Sequence, residues 1–97
     1  MFDKLVLTDN AKIAQIETME YMVALGYKCH LEHPMIKANG GNGRIDIVCY
    51  KGNETVAIEV DNRRPRINSI NKLKHFKATK KYVICRNLNI LEIKGCD

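Results

Sequence analysis

Arg44-Ile45-Asp46-Ile47-Val48-Cys49-Tyr50, then Lys51-Gly52-Asn53-Glu54, then Thr55-Val56-Ala57-Ile58-Glu59-Val60-Asp61: two apolar runs flank a short polar turn. The first run alternates at period two, with Ile45, Ile47 and Cys49 on one face and Arg44, Asp46 and Val48 on the other. The Gly52-Asn53 turn predicts an antiparallel hairpin. Each run carries one acid, Asp46 and Glu59, inside otherwise apolar sequence. A carboxylate in a half-buried strand is costly unless something compensates it. A turn centred on Gly52-Asn53 sets Asp46 and Glu59 across from each other within one residue. Period two puts Asp61 on the face of Glu59. Three carboxylates are thus expected to converge at one end of the hairpin. A divalent cation relieves their repulsion, and oxygen ligands suit Mg²⁺ or Mn²⁺.

Working outward, Thr8 or Asp9 is the expected cap of a helix over 9–25. Ile13, Ile16, Met19 and Val23 form its apolar stripe, and Gly26 stops it. Tyr27 to Leu31 alternates as a strand that His33-Pro34 ends. Asn39-Gly40-Gly41-Asn42-Gly43 reads as a flexible loop opening beside Asp46. After Pro65 a second helix is predicted over 66–78. Ile67, Ile70, Leu73 and Phe76 form its buried stripe, with Ser69 and Lys72 on one flank and Asn71 and Lys74 on the other. Lys80 to Cys85 is a strand, and Leu88 to Ile93 adds a short last one. The order α-β-β-β-α-β predicts one α/β domain over residues 1–97 with a mixed central sheet.

Ninety-seven residues hold one small domain and exclude a cofactor domain paired with a separate substrate domain. No organic cofactor is therefore expected. Sixteen Lys and Arg against eleven Asp and Glu leave a net charge of +5, which favours anionic partners. A hydrophobic content of 45% argues against a disordered basic tail. No signal peptide and no membrane span is legible, so a cytoplasmic setting is expected. Cys29, Cys49, Cys85 and Cys96 read as reduced thiols, three of them in strands. Cys29 and His30 point to opposite faces of a strand, which disfavours a zinc site. Arg63, Arg64 and Arg66 follow the acids at once, and Lys72, Lys74, Lys77, Lys80 and Lys81 continue the basic run. Arg44 lies beside Asp46. An acidic metal pocket rimmed by guanidinium groups suits phosphodiester chemistry.

The element order, Ile45-Asp46 in one strand, Ile58-Glu59-Val60-Asp61 in the next and a glutamate on the first helix resemble the PD-(D/E)XK nuclease superfamily. The resemblance covers about residues 9–85, and the size is similar to small Holliday-junction-resolvase-like and phage-type members. It implies a restriction-endonuclease-like fold, with Asp46 and Glu59 as metal ligands and the Val60 carbonyl as a third. It also implies a metal-site glutamate from the first helix, for which Glu17 is favoured over Glu20. The family's lysine falls at Asp61, a departure. A lysine of the second helix, Lys72 ahead of Lys74, could replace it; Asp61 could bind metal itself; or catalysis could be lost. The resulting expectation is a structure-selective, Mg²⁺- or Mn²⁺-dependent DNA endonuclease. Asp46, Glu59, Asp61, Lys72 and Glu17 are its catalytic candidates, and Arg44, Arg63, Arg64, Arg66 and Lys74 hold DNA. A homodimer is expected, in the cytoplasm or, for a phage-encoded chain, the host cytoplasm. The alternative is a non-catalytic nucleic-acid-binding module on the same fold.

Overall fold

The computed structural model describes residues 1–94. It is an α/β domain with elements α1 (Ala11–Ala24), β1 (Lys28–Ile36), β2 (Asn42–Lys51), β3 (Glu54–Asp61), α2 (Ile67–His75), β4 (Lys80–Cys85) and β5 (Ile90–Glu92). One mixed sheet runs in the order β1-β2-β3-β4-β5. The β3–β4 pair is parallel and the other neighbours are antiparallel. The expected order therefore holds, with the short last strand present as β5. Cys29, Cys49 and Cys85 are free and lie in strands; Cys96 lies outside the described residues.

The sheet is sandwiched between the two helices. Met22 of α1 packs with Leu5, Ile47, Cys49, Val56, Ile58 and Ile84 on one face. Leu73 of α2 packs with Ile45, Val48, Ala57, Val83 and Cys85 on the other.

Helix α1 departs from its expected stripe. Asn10, not Thr8 or Asp9, caps it, its Oδ1 accepting from the N–H groups of Lys12 and Ile13. Its buried face is Ala14, Gln15, Thr18 and Met22, while Ile13, Ile16 and Val23 are exposed. Small residues let the helix lie close to the sheet, and the Thr18 hydroxyl is satisfied by the Ala14 carbonyl. Gly26, at φ +97°, ends the helix as expected.

Strand β1 continues through Pro34 to Ile36. Proline is tolerated because β1 is a sheet edge, paired with β2 alone. The expected flexible loop is a closed hairpin turn: Lys37 N–H donates to Gly41 O, and Gly40 N–H to Lys37 O. Gly40 takes φ +85°, which the turn requires. Helix α2 is shorter than expected, and Ile67, predicted buried, is exposed. Ser69 takes the inner position instead, drawn in by a hydrogen bond to Asp61.

The two faces of α1 give a direct check. Met22→Ala, which opens a cavity against the sheet, is expected to cost about 2–5 kcal/mol in urea unfolding. Ile13→Ala and Val23→Ala are expected to stay within about 0.5 kcal/mol. The reverse ranking would restore the stripe expected from periodicity.

Candidate functional site: an acid pair at a strand break

The pleat of β2 slips at Asp46. Ile47 and Cys49 face α1, as two-residue alternation requires. Ile45 faces α2 together with Val48, three residues away, which a regular pleat forbids. The expected grouping of Ile45 with Ile47 is thereby corrected. Strand β1 slips at the facing position: Cys29 and Leu31 pack toward α1, but Met35 packs toward α2. The register runs Leu31↔Ile47 and then His33↔Ile45, so Glu32 and Asp46 face each other across the interruption. Glu32 sits at φ +55°, a left-handed conformation costing a non-glycine residue about 1 kcal/mol.

The β2–β3 ladder also stops there, at Ile47↔Ile58. Beyond it the strands join through their carboxylates. Asp46 N–H donates to Glu59 Oε2 at 2.8 Å, and Val60 N–H donates to Asp46 Oδ2 at 2.8 Å. Each acid accepts the partner strand's amide, so the expected cross-strand approach of Asp46 and Glu59 is present. Glu59 is only 1% exposed. Its Oε1 meets Lys72 Nζ at 2.7 Å but has no aligned hydrogen bond among the described residues. Lys72 Nζ also donates to Arg44 O at 2.9 Å.

Burial raises the pKa of both acids. For Asp46 the Val60 N–H and then the Lys72 charge oppose the rise. For Glu59 the nearby Asp46 charge adds to burial, while Lys72 and the Asp46 N–H oppose it. In both acids burial, more than any neighbouring charge, favours the protonated form.

Asp61 does not join the pair. Its Oδ2 accepts the Arg66 N–H at 2.8 Å, and its Oδ1 accepts Ser69 Oγ–H at 2.9 Å and Arg66 Nε–H at 3.2 Å. It anchors the first turn of α2. No group of three or more His, Cys, Asp or Glu side chains among the described residues is placed to hold one metal ion. The expected convergence of three carboxylates is thereby overturned. The consequence for Lys72 is direct: α2, pinned at its N-terminus by Asp61, lays Lys72 over Glu59. Lys74, two residues on, is exposed and turned about 200° around the helix.

Glu17 is also displaced from its expected place. Its Oε1 accepts the Thr8 N–H at 3.0 Å, which ties it to the N-terminal segment. Gln15, two residues earlier and on the buried face, reaches the strand break instead. Its Nε2 donates to Asp46 O at 3.0 Å and to Glu32 Oε2 at 2.8 Å. Glu20 is exposed. Val60 donates its N–H to Asp46 Oδ2.

A cleft of about 410 Å³ lies beside the pair, between the β1–β2 turn and the start of α2. Lys37, Arg44, Arg66 and Lys72 line it, with Asn39, Asn68 and Asn71. Its charged lining is four cations and no carboxylate, a chemistry suited to an anion. Of the expected DNA-binding residues, Arg44 and Arg66 lie in it. Arg63, Arg64 and Lys74 are exposed outside it, and Lys37 takes a place the sequence reading did not assign. No protein-family model, curated protein or solved structure matches the chain.

Two measurements follow from this geometry. A carboxylate with a raised native pKa binds its proton more tightly in the folded state. Its contribution to stability falls as pH climbs from the ordinary carboxylate range through the raised value. Wild type minus Glu59→Gln stability should therefore decline with pH over the weakly acidic range in metal-free buffer. A flat difference would contradict the burial of the pair. Asp61→Ala, which orphans the Ser69 hydroxyl and the Arg66 amide, should cost roughly 1–3 kcal/mol.

Proposed function

We propose that the chain is a metal-dependent DNA endonuclease of the PD-(D/E)XK kind, selective for DNA structure rather than sequence. The observation that carries the reading is one juxtaposition. A buried glutamate paired with a half-buried aspartate, with a lysine on the glutamate, sits beside a cleft whose charged side chains are all cations. Mixed-sheet order and the acids at the end of the central hairpin agree with that superfamily's plan.

The residues fit a divalent cation. Glu59 Oε1 is buried without an aligned donor, and both acids are pushed toward protonation by burial. Mg²⁺ keeps most of its waters and needs only one or two carboxylates beside substrate phosphate, so the lack of a third protein carboxylate is no obstacle. Asp46 and Glu59 would hold Mg²⁺ or Mn²⁺, which supplies a water of lowered pKa and neutralises phosphate charge. Arg44, Arg66 and Lys37 hold the sugar–phosphate backbone in the cleft. Lys72, shared between Glu59 and the cleft, orients the attacking water or the phosphate it approaches. Asp61 keeps α2, and with it Lys72, in position.

Among the described residues every helix and strand is part of the sheet or packs on it, leaving none to enter a major groove, which supports structure selectivity. A homodimer belongs to the reading, because a domain with few buried residues and exposed Ile13, Ile16 and Val23 gains from pairing. So does a cytoplasmic setting for its free thiols; no helix among the described residues is long and apolar enough to cross a membrane. The second reading, a binding module without catalysis, is favoured by one observation: Asp46 and Glu59 are already engaged by backbone amides and Lys72.

Cleavage of branched, nicked and single-stranded DNA with Mg²⁺ or Mn²⁺ separates the two. Asp46→Asn and Glu59→Gln should each lower cleavage at least 100-fold while leaving DNA affinity within a few-fold, and Lys72→Ala should lower both cleavage and DNA affinity. Lys37→Ala and Arg44→Ala should weaken DNA binding and lessen its salt dependence. Salt-dependent binding with no cleavage under either metal would leave the binding module.

A further inference from the structure

Glu32 is the residue the structure leaves without an ordinary explanation. It lies inside an edge strand and has a side chain, yet takes φ +55°. Strands tolerate that geometry only where surroundings over-determine it, and such outliers gather where position matters. Its surroundings are specific. It faces Asp46 across the interrupted β1–β2 register. Its Oε2 accepts from Gln15 Nε2, and the same nitrogen donates to the Asp46 carbonyl. Its Oε1 lies 3.8 Å from Arg44 Nη1.

Both hydrogens of the Gln15 amide are thus spent on this contact, one on a side chain and one on the backbone of an acid of the pair. Without Glu32, the Gln15 amide keeps one partner, the Asp46 carbonyl, and one of its N–H groups is left unpaired in a buried setting. We infer that Glu32 and Gln15 form a brace that positions Asp46. The brace pulls the Asp46 carbonyl toward α1, so that the residue's N–H and carboxylate point at β3 and meet Glu59 and Val60. Glu32 and Gln15 are positioning residues: neither lines the cleft, and Glu32 meets it only through Arg44. The inference rests on the proposed acid-pair site for its purpose, but the brace itself exists with or without a metal.

The test is amide hydrogen exchange in metal-free protein, read at Asp46 and Val60, whose N–H groups point at the two carboxylates. Glu32→Gly removes the side chain at a φ that glycine adopts freely, so its melting temperature should hold or rise. Exchange at Asp46 and Val60 should quicken about tenfold or more, while Val48 and Val56 stay protected. Gln15→Ala should do the same, and the double variant should add little, because the two act through one contact. Unchanged exchange at Asp46 and Val60 in both variants would overturn the brace. Calorimetric titration with Mn²⁺ is the second arm, with an expected tenfold weaker affinity in Glu32→Gly than in wild type. Wild type that takes no Mn²⁺ counts against the nuclease reading alone, since the exchange result stands apart from it.

Discussion

The rest of the structure is arranged around a buried carboxylate. Glu59 sits in a central strand with 1% exposure, where an uncompensated negative charge would destabilise the domain by several kcal/mol. Two groups from two elements answer it: the Asp46 amide of β2 turns toward it and Lys72 of α2 lies on it. Asp46 in turn holds the Val60 amide of β3 with its own carboxylate. A regular ladder would consume those amides in carbonyl bonds. The break at Asp46 is therefore a condition for keeping Glu59 in the sheet.

That condition propagates. Lys72 reaches Glu59 only if α2 starts in the right place, and its start is set by Asp61, which satisfies the Arg66 amide from outside the helix. Arg66 itself, the N-cap residue, has no side-chain cap bond, so Asp61 does the work that a capping serine or aspartate does elsewhere. The same carboxylate draws Ser69 inward and turns Ile67 out. One acid thus decides the rotation of α2, which lysine faces the pair, and which cations line the cleft.

Much of this was legible in the chain. Alternation in β2 and β3 around Gly52-Asn53 gave the hairpin, and the helix after Pro65 gave the crossover to a parallel strand. Lone acids at Asp46 and Glu59 marked the site, because apolar strands carry such residues only under compensation. The rotation of α1 was not legible. Ile13, Ile16 and Val23 outrank Ala14, Thr18 and Met22 in hydropathy, yet close approach to a sheet favours small side chains, and a threonine can satisfy itself within the helix. Once the helix is turned that way, Gln15 faces the strand break and Glu17 does not. Glu32 was hidden for a similar reason. Beside His33-Pro34 it reads as the end of a strand, and only an edge strand that runs on through proline brings it opposite Asp46.

Asp61 and Lys72 divide two roles between strand and helix in this geometry. An ammonium at 61 would extend from the strand that carries Glu59. On α2 at position 72 it stands between the acid pair and the cleft, touching Glu59 and the Arg44 carbonyl while lining the cleft. These roles compete electrostatically. With no other cation near, Glu59 is its strongest partner. On the proposed reading, a divalent ion on the acids would repel the ammonium, and a phosphate in the cleft would attract it, both in the same direction. Lys72 already touches Glu59 while lining the cleft at 21% exposure, on a helix whose start Asp61 fixes. Asp61 therefore fixes the helix from which Lys72 brings its positive charge to Glu59.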